Sequence, residues 1–275
     1  MSPSLVIAGR EIREGLRNRW VATATLILAA LALALALVGS APVGEVGTGR
    51  LTVTIVSLSS LSIYLLPLIA LLLAFDTVVG EAERGTLLLM LAYPLSRWQI
   101  VAGKFLGHAA ILSFATTVGF GSAALAIGFS APVLPTSAEW WNFAGLIGAS
   151  IGLGLAFVAV GTVISVTVRE RTTAAGVAIV VWLFLVVLYD MGLLAALVAT
   201  GGQGFLGQTL PAWLLANPAD AYRLLTLAAF DGAGAIAGLE AVVADLPAVW
   251  PMLALLAWIA GPLAVAWTIF ARREL

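Results

Sequence analysis

The chain has 275 residues, 62% hydrophobic and 10% charged, with 13 Lys and Arg against 14 Asp and Glu and a formal net charge of −1. Soluble domains carry about 45–50% apolar and about 25% charged residues, so this composition excludes a water-soluble globular protein and assigns the chain to a bilayer. The near-neutral balance gives no pull toward nucleic acid, and the absence of cysteine excludes disulfides, a thiol nucleophile and thiolate metal sites.

In chain order, residues 4–20 come first. Leu5, Ala8, Ile12, Leu16 and Trp20 recur at helical spacing, with Arg10, Arg13 and Arg17 on the other face, which predicts a helix lying in the membrane interface. The plainer reading of the same residues is a solvated basic flank that only orients the first span. The mixture of Arg and Glu ahead of an 18-residue apolar run does not fit a cleavable signal peptide. Six uncharged runs are long enough to cross the hydrocarbon core: residues 21–38, 51–75, 105–129, 141–167, 173–189 and 249–270. The uncharged stretch 191–219 is interrupted by Gly201, Gly202, Gly204, Gly207 and Pro211 and is not counted as a seventh. The expected fold is therefore an all-α integral membrane protein with six transmembrane helices. Arg10, Arg13, Arg17, Arg19, Arg84, Arg97, Lys104, Arg169, Arg171, Arg272 and Arg273 fall on one side of it, and only Arg50 and Arg223 on the other. That bias predicts cytoplasmic N- and C-termini.

Between the second and third runs, residues 76–104 form a cytoplasmic loop, read as two short helices around a break at Tyr93-Pro94. Glu81, Glu83 and Arg84 precede its apolar run at 87–91. A short helix of this kind, charged at one end, is something a soluble partner can grip. On the opposite side, residues 200–248 form the largest loop. Asp220, Asp231, Glu240 and Asp245 stand there against Arg223, and residues 219–230 carry an amphipathic helical pattern.

Several motifs tempt and do not hold. Residues 202–207 match G-x-G-x-x-G but lack the strand before and the helix after that a phosphate cradle needs. Residues 148–152 match G-x-S-x-G around Ser150, yet His108, the single histidine, belongs near the other end of its span. That is far beyond the ~3 Å a nucleophile and base require. Close helix packing through Gly148 and Gly152 is the expected use of the segment, and His108 is expected to be hydrogen-bonded locally. No P-loop is present: ahead of Gly103-Lys104, Trp98 stands where Gly is required. The four methionines are scattered, so no soft-metal path is visible and no metal site is expected.

Ionisable residues in or near the spans are Asp190 and Asp76, read mainly as helix ends in the headgroup region and secondarily as marks of an ion pathway. Ser57, Ser59, Ser60 and Ser62 stud the second span ahead of Pro67, and their hydroxyls either bond to neighbouring helices or line a cavity.

Residues 76–87 (Asp-Thr-Val-Val-Gly-Glu-Ala-Glu-Arg-Gly-Thr-Leu), then Tyr93-Pro94-Leu95-Ser96-Arg97 and Gly103-Lys104-Phe105, resemble the loop between the second and third helices of type-2 ABC transporter permeases. Arg17-Asn18-Arg19-Trp20, residues 65–75 running into Asp76, and Asn217-Pro218-Ala219-Asp220 are similar, more narrowly, to the permeases that serve maturation of nitrous oxide reductase. The resemblance implies a bacterial inner-membrane homodimer with two separate cytoplasmic ABC ATPase subunits, which bind the ATP and Mg. No catalytic residue and no cofactor are then expected in this chain. It also implies that the loop with Glu81, Glu83, Arg84, Gly85, Thr86, Pro94 and Arg97 docks on the ATPase. For the narrower group it implies a periplasmic maturation protein on the external loop and assembly of a copper–sulfur centre outside the membrane. Ser57, Ser59, Ser60, Pro67 and Asp190 are the candidates for a pathway or for external coupling. The alternative from another class is a proton-coupled secondary transporter using Asp190, which predicts activity without nucleotide.

Overall fold

An apolar run that crosses hydrocarbon satisfies its backbone only by coiling into a helix. The computed structural model describes residues 2–17, 19–38, 50–130, 135–201, 203–229 and 246–273, and the regular elements among these are all helical. In order they are α1 (Pro3–Arg17), α2 (Arg19–Val38), α3 (Arg50–Ala74), α4 (Val79–Glu83), α5 (Thr86–Leu91), α6 (Arg97–Ser130), α7 (Ser137–Thr167) and α8 (Arg171–Leu183). A π-helical turn (Phe184–Leu188) then joins α8 to α9 (Tyr189–Thr200). They are followed by α10 (Gly204–Gln208), α11 (Leu210–Leu215), α12 (Pro218–Ala229) and α13 (Val249–Arg272). Among the described residues five helical stretches are long and apolar enough to cross a membrane, and a sixth is added if α1 and α2, which meet at 68°, count as one bent span. The chain is thus a multi-pass membrane protein.

The six expected runs fall on α2, α3, α6, α7, α8 with α9, and α13, but several boundaries move. Helix α6 begins at Arg97, so the loop expected to reach Lys104 ends eight residues earlier and Lys104 sits inside a helix. Its 34 residues rise about 51 Å, well beyond a ~30 Å hydrocarbon core, so one end projects. Helix α7 starts at Ser137 because Thr136 and Glu139 form a capping box, each side chain accepting the other's backbone N–H. The fifth helix does not end at Tyr189: it continues through the π turn to Thr200. The break in the 76–104 loop also differs. The two short helices, α4 and α5, both precede Pro94 and are separated by Gly85, whose φ of 71° suits the joint to glycine.

Helix α7 is the centre of the bundle, packing on α3, α13, α6 and α12, while α6 carries α2 and α1 along its length. Glycines permit the closest approaches. On α6, Gly103 and Gly107 face α1: a Cβ on Gly103 would stand 2.7 Å from Ile7 Cβ and 2.8 Å from the Ser4 carbonyl oxygen. The G-x-x-x-G spacing of this pair lets two helix backbones touch. On α7 the close contacts are Gly154 against Leu112 and Gly161 against Ala74. Gly148 meets open space and Gly152 only Leu255 at 3.9 Å, so the packing role expected of those two belongs to glycines further along the helix.

Helix α1 departs from its expected face. Ser4, Ile7 and Ala8 are buried against α6, whereas Leu5 and Leu16 are 52% and 57% exposed. Apolar side chains exposed beside arginines on one helix suit a position at the membrane interface. Within the external loop expected over 200–248, residues 204–229 form α10–α12; α12 falls on the amphipathic pattern read at 219–230 and folds back against α7, α13 and α3 so fully that Tyr222 has no exposed surface. Gly202, Asp231, Glu240 and Asp245, and the side chains of Arg19, Trp20 and Arg50, lie outside the described residues.

Candidate functional site

The 76–96 segment is built from residues that would be costly to bury alone. Glu81 is 4% and Lys104 1% exposed, and Lys104 Nζ lies 2.9 Å from Glu81 Oε2 and 2.8 Å from Glu11 Oε1. Arg10 Nη2 approaches Glu81 Oε1 at 3.7 Å. One ammonium from α6 therefore joins a carboxylate of α1 to a carboxylate of α4, clasping three elements that are distant in sequence. His108, one turn further along α6, is buried with Nδ1 2.8 Å from the Lys104 carbonyl oxygen. Beside this clasp is a polar cavity of about 280 Å³, lined in part by Glu11, Asp76, Thr77, Glu81, Arg84 and Arg171.

The same segment is tied to the central helix. Ser165 of α7 accepts hydrogen bonds from the backbone N–H groups of Val78 (2.9 Å) and Val79 (3.1 Å), two orphan donors where α4 begins. Asp76 pairs with Arg171 at 3.0 Å, and Glu83 accepts the Arg171 backbone N–H at 2.6 Å where α8 begins. Ser165→Ala leaves two buried donors unpaired, each worth ~1–3 kcal/mol. A loss of about 2–6 kcal/mol in unfolding free energy, read by thermal unfolding in lipid nanodiscs, is expected; an unchanged midpoint would show the serine to be dispensable.

The candidate coupling residues thus divide. Glu81 is internal, and Thr86 donates to its carbonyl oxygen at 3.3 Å. Arg97 is internal too: its Nη1 donates to the carbonyl oxygens of Phe270 (2.7 Å) and Arg273 (2.6 Å), and its guanidinium lies over the Phe270 ring. It closes the C-terminus of α13 onto the start of α6. Glu83, Arg84, Gly85 and Pro94 are exposed. Around them stand Leu88, Leu89, Tyr93 and Trp98, exposed by 59%, 68%, 69% and 53%. Arg10, Arg84, Arg97, Lys104, Arg171 and Arg273 all belong to this end of the bundle, which is where the charge bias placed them together.

A second polar cluster forms further along the long helix that starts at Arg171. Asp190, nineteen residues on and so roughly 28 Å along the axis, accepts from Arg223 Nη2 at 2.7 Å. Asp220 accepts from Arg223 Nη1 at 2.6 Å. The π turn positions this knot. Asn217 donates from Nδ2 to the Leu185 carbonyl oxygen at 2.6 Å, inside the π turn, while its Oδ1 accepts the Ala219 N–H and so opens α12. Tyr189 donates to the Trp213 carbonyl oxygen at 2.7 Å. Burial pushes the Asp220 carboxyl up to about 7, with Asp190 adding to the rise and Arg223 opposing it. Burial works against the Arg223 charge, but Asp220 and Asp190 outweigh it and hold the guanidinium above its ordinary value. Burial also pushes the Tyr222 phenol up to about 12, against its hydrogen bonds with Ser150 and Ser62.

Ser150 accordingly sits 3.0 Å from Tyr222 Oη, in a contact where either hydroxyl can donate, while His108 is engaged with Lys104. Ser59, Ser60 and Ser62 each donate to a carbonyl oxygen one turn back on their own helix, at 2.8, 3.0 and 2.6 Å. Ser57 is half-buried and Pro67 is buried within the same helix. Sequence reasoning missed Lys104, Glu11, Ser165, Asn217, Asp220 and Tyr222 as site residues. The G-x-x-x-G spacing at 103–107 and the Asn-Pro step at 217–218 were the available signals for two of the places.

The model of the family described as ABC-2 family transporter protein matches residues 5–275. The chain is 45% identical over 271 residues to the probable ABC transporter permease protein NosY of Stutzerimonas stutzeri, covering 97% of each chain. It is 46% identical over 274 residues to the protein of the same description in Pseudomonas aeruginosa, covering 98% of each.

Proposed function

This chain belongs to the ABC-2 family of transporter permeases, and from that premise we propose that it carries the work of ATP hydrolysis across a bacterial inner membrane. Two copies form a homodimer, and two separate cytoplasmic ABC ATPase subunits bind ATP and Mg against the α4–α5 end. A periplasmic maturation protein sits at the opposite end, and the output is assembly of the copper–sulfur centre of nitrous oxide reductase.

The observation that carries this reading is the exposed face formed by Glu83, Arg84, Leu88, Leu89 and Tyr93. It stands on a segment braced from behind by the Lys104 clasp and by Ser165. A braced face with exposed apolar side chains suits a docking partner that pushes, because the brace passes the displacement to α6 and α7 rather than absorbing it. The sequence contains no P-loop, so the nucleotide chemistry falls to the partner. With no cysteine, one histidine and four methionines, it is poor in soft ligands. That poverty favours export of a sulfur species, or movement alone, over passage of copper through this chain.

The test is Leu88→Asp combined with Leu89→Asp in the assembled complex. Exposed substitutions change stability by about 0.5 kcal/mol or less, so the thermal midpoint of the permease is expected to stay in place. ATPase co-purification and formation of the copper site are expected to fall at least ~10-fold, since 1.4 kcal/mol of lost docking energy suffices for that factor. Full retention of both would overturn the assignment of this face.

A further inference from the structure

We propose that Asp190 and Asp220 form a proton-binding site in which the two carboxyl groups hold one proton between them against the Arg223 guanidinium. The site stands independently of the cargo and of the ATPase docking face.

Each carboxylate gives one oxygen to Arg223, at 2.7 and 2.6 Å. The other two oxygens, Asp190 Oδ1 and Asp220 Oδ2, are buried and have no hydrogen-bond partner among the described residues. Both carboxyl groups converge on the one guanidinium. Two ionised carboxylates are acceptors only and cannot bond to one another, whereas one proton turns one of them into a donor to the other. The charge count agrees: two carboxylates against one guanidinium leave −1 beside Asp220, which is only 1% exposed.

Among the described residues, no neighbouring element supplies another cation. On α12 and α9 the other titratable groups are Tyr222 and Tyr189, and α3 brings Tyr64 near Arg223. Helices α11 and α13 carry no Asp, Glu, Lys, Arg or His between Leu210 and Leu215 or between Val249 and Phe270, and α7 carries none from Trp140 to Thr167. Burial first, and the like charge of Asp190 after it, push the Asp220 carboxyl up to about 7.

Occupancy bears on shape. The protonated pair holds α12 to the helix 171–200 beside the π turn, where Asn217 makes the second attachment. Loss of the proton puts an uncompensated charge into that joint. For a carboxyl held at about 7 in the fold and at an ordinary 3.8 when unfolded, the folded chain keeps its proton over a range where the unfolded chain has lost it. Stability therefore falls as pH rises from about 4 to about 7 and levels off above.

The experiment uses the full chain in lipid nanodiscs. Infrared difference spectra between about pH 8 and about pH 5 are expected to show a protonated-carboxyl C=O stretch that Asp220→Asn removes. Asp190→Asn, which takes away the like charge, is expected to move its appearance to lower pH. The thermal midpoint is expected to drop by several degrees across the same range in the wild type and to stay flat in Asp220→Asn. Absence of the stretch in the wild type, its survival in Asp220→Asn, or a midpoint profile that changes when potassium is replaced by choline would each overturn the proposal. The last result would point to an alkali cation in place of the proton.

Discussion

Lys104→Met is expected to lower the unfolding free energy by about 3–5 kcal/mol and to uncouple ATP turnover from transport. The substitution keeps the apolar stem and removes only the ammonium, so its effect is electrostatic. Lys104 is 1% exposed and bridges Glu11 at 2.8 Å and Glu81 at 2.9 Å. Breaking a buried pair by removing one partner costs ~3–5 kcal/mol because the remaining charge is left uncompensated, and here two carboxylates are left facing one another. Glu81→Gln alone is expected to cost less, since Glu11 still neutralises the ammonium. Combining it with Lys104→Met should recover part of the loss, giving a coupling energy of ~1 kcal/mol or more in a double-mutant cycle. Thermal unfolding of the four proteins in nanodiscs, with ATP hydrolysis by the assembled complex, checks both parts. Additive losses with no coupling would mean that the clasp contributes nothing as a unit.

The contrast between Lys104 and Arg84 shows how far such features can be read in advance. Both lie in the charged segment whose bias orients the chain, and the count of basic residues treats them alike. Their roles separate only when α6 is seen to begin at Arg97, which puts Lys104 inside a helix beside α1 and leaves Arg84 exposed. The membrane class and the apolar runs were legible because a bilayer imposes length and composition on every span. Interior electrostatics were not, because an ion pair is a relation between elements such as Glu11 and Lys104, 93 positions apart. The π turn was likewise invisible: Phe184–Leu188 is as apolar as its flanks, and only the amide of Asn217 on the Leu185 carbonyl oxygen reveals its use. Glycine motifs misled where they were read without a partner helix. The apparent packing site at Gly148 and Gly152 faces open space or a distant leucine, while the Gly103–Gly107 spacing marked a true contact with α1.

Arg223→Met is expected to destabilise the chain strongly at high pH and only moderately at low pH. Asp190 and Asp220 are then left in one joint without their counter-charge. Asp190 and Arg223 keep about a quarter of their side-chain surface, 27% and 26%, so solvent offsets part of the penalty. The expected loss is therefore ~2–4 kcal/mol, below the full figure for a deeply buried pair. As pH falls, Asp220 takes up its proton more readily in the fold than in the unfolded chain, because burial raises its carboxyl and Arg223 no longer opposes the rise. The variant gains stability on acidification, and at about pH 5 it lacks only the hydrogen bonds that Arg223 made, the smaller of the two losses. Thermal midpoints of wild type and Arg223→Met, measured in parallel from about pH 5 to about pH 8, are expected to diverge as pH rises. Arg223→Lys should fall between them, since an ammonium keeps the charge but loses the fork that reaches both carboxylates at once. A gap between wild type and Arg223→Met that stays constant over the range would mean that the arginine acts through packing, because a packing loss carries no dependence on the charge of its neighbours.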